Sequence, residues 1–187
     1  MKKFELTNEF VTNMFGTKLF RIRALVEFGD VEAGELGGYV EKESNLGHDD
    51  NAWVYDNAWV YGNARVYGDA LVYDNARVYD NAWVYGDAQV SGDARVSGNA
   101  RVCGNGDYAY AHGFGSVNRT TTFFRLKDGG VGVRCGCFYG TLAQFRDKIR
   151  ETHGETKKAQ EYLMLADLME LRFEEDENEV GNRKYVE

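Results

Sequence analysis

The stretch NARVYGDALVYDNARVYDNAWVYGDA, residues 63–88, repeats one six-residue unit, Asn/Asp-Ala-x-Val-Tyr-Gly/Asp. Its register runs without a gap from Asn51 to Gly104, nine hexapeptides. Ala and Val alternate with period two, which puts both on one face of a short strand. The next two positions are Gly/Asp and Asn/Asp, residues that tolerate the positive φ of a tight corner. The chain has no proline and 22 glycines, so Gly, Asn and Asp must make its turns. A corner every six residues is too frequent for a sheet of hairpins. It suits a solenoid whose coil has three short sides and about 18 residues.

Val-Tyr-Gly-Asn-Ala-Arg, residues 60–65, resembles the hexapeptide repeat of left-handed parallel β-helices. More narrowly, the chain resembles a hexapeptide-repeat family of phages and gut bacteria, often labelled polymer-forming or cytoskeletal. The marks are RIRALVEFGDVEAGELGGYVE at residues 21–41 and TTTFFRLKDGGVGVRCGCFYGTLAQF at residues 120–145. The resemblance implies the left hand of the helix. It implies no reaction.

The expected fold is mainly β, a left-handed parallel β-helix of about four coils. An N-terminal β cap takes residues 1–37, the solenoid 38–108, a small α+β (ββαα) unit 109–173 and a charged flexible tail 174–187. Gly38-Tyr39-Val40 and Ser44-Asn45-Leu46 keep the six-residue step, and a two-residue insertion near Gly47-His48 breaks it. Gly106-Asp107-Tyr108 reads as a degenerate last rung. Alternating Phe20, Ile22 and Ala24 predict a strand that covers one open end. A hairpin should turn at Lys127-Asp128-Gly129-Gly130. Thr141 and Gln144 form a capping-box pattern for a first helix that stops at Gly154. A second helix is predicted over residues 155–173.

Wrapped at 18 residues, the outward positions form three stacks. Trp53, Leu71 and Gln89 share one side, Trp59, Arg77 and Arg95 the second, and Arg65, Trp83 and Arg101 the third. Tyrosines pair as Tyr55/Tyr73, Tyr61/Tyr79 and Tyr67/Tyr85, at about 4.8 Å if coils stack as sheets do. Such aromatic and guanidinium ladders stabilise a solenoid by stacking. Exposed Trp, Tyr and Arg also make a binding face. The sequence leaves both readings open.

The net charge is −8, which opposes a generic DNA or membrane-surface binder. No stretch approaches the ~20 apolar residues of a membrane span, and MKKFELTNEFVTNMFG lacks the apolar run of a signal peptide. Three cysteines fit a reducing compartment, so the expected location is the cytoplasm. Residues 107–173 carry ten Lys/Arg against eight Asp/Glu, a mildly basic unit in an acidic chain. Arg119, Arg125, Lys127 and Arg134 lie on or beside its hairpin. They are either a solvated face or an anion or nucleotide pocket. Cys135-Gly-Cys137 lacks the spacing and the second pair of a zinc site, so both thiols are expected to be buried and structural. No metal or cofactor is expected.

Acyltransferases of hexapeptide architecture use a histidine base, and His48 is the one candidate placed on the solenoid. An enzyme is therefore disfavoured but not removed. The expected function is a non-enzymatic interaction protein, phage- or mobile-element-type, that binds a host protein or protein–nucleic acid complex. Inhibition of a defence nuclease is its sharpest form, with corner residues Asp56, Asp69, Asp74, Asp80, Asp87 and Asp93 presenting charge as DNA phosphates do. Direct nucleic-acid binding ranks lower. The alternatives are an acyltransferase-like enzyme, a small-ligand (nucleotide) binder and a polymer-forming solenoid. Exposed Trp53, Trp59 and Trp83 lean towards a homo-oligomer.

Overall fold

The computed structural model describes residues 2–115 and 117–174. The expected tail therefore lies outside the described residues, apart from Glu174. The chain forms a β-solenoid of about four turns between an N-terminal hairpin and a C-terminal α+β unit.

Nine two-residue strands build the rod: β4 (Trp53–Val54), β5 (Trp59–Val60), β6 (Arg65–Val66), β7 (Leu71–Val72), β8 (Arg77–Val78), β9 (Trp83–Val84), β10 (Gln89–Val90), β11 (Arg95–Val96) and β12 (Arg101–Val102). Every third strand pairs in parallel, as Trp53↔Leu71 and Arg65↔Trp83 show. Every repeat Ala and Val from Ala52 to Val102 is at most 1% exposed, so the core is a thin column of small side chains. The corners explain the Gly/Asp alternative. Asp56, Gly62, Gly68, Asp74, Asp80, Gly86, Gly92 and Gly98 all take positive φ. That conformation favours Gly, with Asp the tolerated substitute.

The insertion is visible in the register. Val40 pairs with Val60 and Leu46 with Val66, twenty residues on, whereas Trp53 pairs with Leu71, eighteen on.

Three antiparallel neighbours, β1 (Phe4–Thr12), β2 (Lys18–Ala24) and β3 (Leu36–Val40), form the N-terminal cap. β3 runs parallel to β5, so the cap extends one side of the rod into a six-stranded sheet. Gly37 and Gly38 permit this. A Cβ at either position would strike the backbone oxygens of Val54 or Ala58.

The C-terminal sheet has four strands, β13 (Tyr108–Phe114), β14 (Arg119–Arg125), β15 (Val131–Cys135) and β16 (Phe138–Thr141). The predicted hairpin is its centre, with a strand added on each flank. Tyr108 opens β13 rather than closing the last rung. Alternation along β14 places this sheet in the middle of a layered stack. Phe124 packs into the solenoid core, and Phe123 into a second core with Phe145, Tyr162 and Met169 of the helices. Helix α1 (Leu142–His153) starts on the predicted capping box and ends before Gly154 at φ 57°. Helix α2 (Lys157–Phe173) starts at Thr156, whose hydroxyl accepts from Ala159 N.

The rod has chemically different ends. Each coil donates its backbone N–H groups to carbonyls of the next coil, as Trp53 N does to Ala70 O. The first coil therefore presents carbonyls and the last presents N–H groups. At the first end, Lys3 Nζ donates to Ala52 O (2.9 Å) and Asp50 O (3.1 Å), and Asn45 Nδ2 donates to Ala64 O (2.8 Å). At the last end the supplied groups are acceptors. Asn105 Oδ1 receives Gln89 N (2.8 Å), the Tyr108 hydroxyl receives Ser91 N (3.3 Å), Thr122 Oγ1 receives Arg95 N (2.9 Å) and Asp107 Oδ2 receives Cys103 N (3.0 Å).

Candidate binding face and junction groove

The three outward stacks share one register but meet different fates. Trp53 is fully buried, against the expectation of an exposed ladder residue. The cap covers it. Phe4 and Phe28 meet its ring edge-on at 6.2 and 5.3 Å. Tyr55 packs on the same core, where burial first, then Glu35, Asp30 and Asp56, push its hydroxyl pKa up. Tyr73 lies farther along this side, beside Gln89, Tyr108 and Arg172.

The second side carries a row that crosses five strands of the six-stranded sheet. Arg21, Tyr39, Trp59, Arg77 and Arg95 stand in one register. The Arg21 guanidinium lies 5.4 Å from the Tyr39 ring, and that of Arg77 lies 4.3 Å from Trp59. Tyr61 and Tyr79 stack at 5.0 Å with their planes 2° apart. Arg134 of β15 reaches back over Tyr79 at 5.6 Å, which buries that ring. Burial, with Tyr79 beside it, pushes the Tyr61 hydroxyl up to about 12.

The third side is open. Trp83 is half-buried between two guanidiniums, Arg101 at 4.1 Å and Arg65 at 5.7 Å. Tyr67 meets it edge-on at 6.0 Å and stacks on Tyr85 at 5.1 Å. Burial pushes Tyr85 up to about 12. Arg101 is fixed by hydrogen bonds from Nη1 to Asn81 O (3.0 Å) and Ala100 O (2.8 Å). In the three-stranded sheet of this side β6 and β12 flank β9, and Leu46 bridges to Val66 at the β6 edge. The result is a compact Trp/Tyr/Arg cluster on an accessible face.

The basic residues of the C-terminal unit also separate. Arg125 is 5% exposed and donates to Phe173 O and Gly129 O, both at 3.0 Å. Its two Nη groups tie the end of α2 to the hairpin turn, and this buried carbonyl clamp corrects the expectation of an anion-facing cation. Lys127 is exposed on the turn, its backbone N–H bonded to Asn99 O. Arg119 joins cations of the solenoid. It lines a groove of about 390 Å³ with Arg77 and Arg95 of the solenoid and His112 and Thr120 of the sheet. The side chains come from strands far apart in sequence, and only docking of β14 against the last coil brings them together.

His48 is committed to the cap. Its Nδ1 accepts the Lys3 backbone N–H at 3.2 Å, and its ring stacks on Phe4 at 4.4 Å. Cys135 and Cys137 diverge. β15 ends at Cys135, where Sγ accepts from Thr121 Oγ1 at 3.2 Å. Gly136 at φ 59° turns the chain, and Cys137 is exposed, not buried as expected.

Residues 58–73, 70–86 and 88–105 match the family model described as the YdcK beta solenoid repeat. The repeats form a β-solenoid of about four turns. The matched residues fall between 58 and 105, inside the repeat region. A search of the curated proteins found no match. Among the described residues no helix is long and apolar enough to cross a membrane.

Lys3 and Thr122 carry no sequence signal for their capping roles, and Asp107, read as part of a last rung, instead supplies an acceptor to it. Arg21 and Tyr39 were within reach, since Gly38-Tyr39-Val40 kept the repeat step and only the count across the insertion was needed to align Tyr39 with Trp59.

Proposed function

We propose that this is a non-enzymatic interaction protein that binds a host macromolecule in the cytoplasm through the open side of its solenoid. The observation that carries the reading is Trp83, held half-exposed between Arg65 and Arg101 and beside Tyr67. Trp, Tyr and Arg dominate the energetics of interfaces, because rigid rings bury much area at small entropic cost. Here the rings are held by coil-to-coil stacking, so little ordering remains for binding. The resemblance to a phage-borne family supplies the host side of this reading. His48, bonded through Nδ1 inside the cap, argues against the acyl-transfer alternative.

The corner carboxylates favour charge mimicry as the form of the interaction. Asp56, Asp74 and Asp80 each spend one oxygen on a backbone N–H of the next coil, from Asp74, Gly92 and Gly98 respectively. They are exposed and held in fixed orientation.

The test is capture from a bacterial lysate by the tagged chain, with protein and nucleic acid both identified. A stoichiometric macromolecule should be retained. An Arg65→Glu/Trp83→Ala variant, shown folded by circular dichroism, should retain about tenfold less or lower. Replacing Asp56, Asp74 and Asp80 by Asn should flatten the salt dependence of that complex. Equal retention by the Arg65→Glu/Trp83→Ala variant, or no macromolecule on the wild type, would contradict the proposal.

A further inference from the structure

The groove between the last coil and the C-terminal sheet has a property that the interaction face does not explain. Arg77, Arg95 and Arg119 converge on it from two parts of the chain. The protein has 30 acidic against 22 basic residues, so a cation has many carboxylates to choose from. Yet among the described residues none of these three guanidiniums makes a salt bridge, although Arg21, Arg23, Arg146 and Arg150 all do. Asp93 borders the same groove and stays beyond ion-pair distance.

Each cation has a structural reason to stay in place. The Arg77 guanidinium lies over the Trp59 ring, 4.3 Å from its centroid. The Arg95 backbone is pinned to Thr122 Oγ1 at 2.9 Å. Arg119 lies across Gly136, where any Cβ would overlap its guanidinium. Hydroxyl and imidazole groups complete the lining, with His112 Nδ1 and Thr120 Oγ1 2.8 Å apart. Converging like charges repel, and the arrangement is favourable when an anion neutralises them.

We infer that this groove binds a phosphate-bearing small ligand, with the phosphate oxygens held by Arg77, Arg95 and Arg119. Guanidinium forks match phosphate oxygens in a bidentate fashion, and arginine is the residue favoured for that recognition. The volume of about 390 Å³ exceeds what one phosphate fills and falls within the range of ligand pockets. A nucleoside monophosphate is therefore the ligand class of choice, the nucleoside part occupying the remainder. The site is separate from the Trp83 face and does not depend on it.

The experiment is isothermal titration of the full chain with AMP, inorganic pyrophosphate, inorganic phosphate and adenosine. AMP should bind at least about tenfold more tightly than adenosine. Arg95→Gln/Arg119→Gln should reduce AMP binding by about tenfold or more, as expected for lost charge-assisted bonds. Lys127→Gln removes one positive charge from the same unit outside the groove and should leave binding within about twofold. A thermal unfolding scan of each variant checks folding, and Arg119→Gln alone, an exposed position, keeps the test valid if the double variant unfolds. Pyrophosphate or phosphate binding that is lost in the variant, without a preference for AMP over either, keeps the phosphate site and overturns the nucleoside assignment. No binding by any phosphate-bearing probe at millimolar concentration, equal binding of AMP and adenosine, or binding that survives Arg95→Gln/Arg119→Gln would overturn the inference.

Discussion

The two ends of the solenoid face opposite problems. The first coil leaves carbonyl oxygens unpaired, and the chain meets them with donors, Lys3 Nζ and Asn45 Nδ2. The last coil leaves N–H groups unpaired, and the chain meets them with acceptors from Asn105, Asp107, Tyr108 and Thr122. A parallel solenoid is a polar object, so its caps cannot be interchanged. Each end must supply the half of the peptide bond that stacking leaves over, because an unmatched buried polar group costs about 1–3 kcal/mol. With both ends matched, coil-on-coil growth has no free edge, and the sides become the surfaces left for function.

The first end should be the more fragile. Trp53→Ala removes a fully buried indole beneath Phe4 and Phe28 and should cost about 3–5 kcal/mol in chemical denaturation. A loss below about 1 kcal/mol would place Trp53 back among exposed ladder residues. Asp107→Ala opens the last end by removing the acceptor for Cys103 N, and about 2 kcal/mol is expected. The Cys103 amide should then exchange with solvent faster than the repeat amides of the middle coil.

Alkaline pH distinguishes the ends further. Burial lowers the Lys3 ammonium from 10.5 to about 8, opposed by Asp50, Asp49 and Asp69. The folded chain thus releases that proton before the unfolded chain does. Stability contributed by Lys3 rises as pH climbs from 8 towards 10.5 and is lost as pH falls through 8. The carbonyl partners favour the ammonium and blunt the effect to about 1–2 kcal/mol. Lys3→Met should abolish the rise. Above pH 10 the trend reverses. Tyr61, Tyr85 and Tyr162 keep their protons to about 12 when folded, so the unfolded state ionises first and stability falls. Denaturation midpoints across this range would show a maximum between about pH 8 and 10. The smallest effect belongs to the middle of the rod. Tyr61→Leu removes one stacked ring and should cost about 0.5–1 kcal/mol beyond its area, with binding at the Trp83 face unchanged.

Local rules reached far into this fold. The Ala-x-Val alternation gave the core, the Gly/Asp position gave the left-handed corners, and the count of 18 gave the partners of Trp59 and Trp83. Thr141 and Gln144 announced α1. What was hidden depended on docking. Trp53, Trp59 and Trp83 occupy equivalent positions in the repeat, and only Phe4 and Phe28, some fifty and twenty-five residues upstream, make the first a core residue. Arg125 looked as available as Arg119 until α2 delivered the Phe173 carbonyl to it. Thr122 and Asp107 carry no motif, since a capping acceptor needs only an oxygen at the right place. The groove was hidden for the same reason. Arg77, Arg95 and Arg119 belong to two patterns that become one site in three dimensions.

Sedimentation velocity over a wide concentration range tests the closed-rod account most directly. One finite species is expected for the wild type, unchanged in size as concentration rises, with association once Asp107→Ala and Thr122→Val strip acceptors from the last coil. Wild-type particles that lengthen without limit as concentration rises would contradict it, because end-to-end stacking would then be open and the caps would not close the rod.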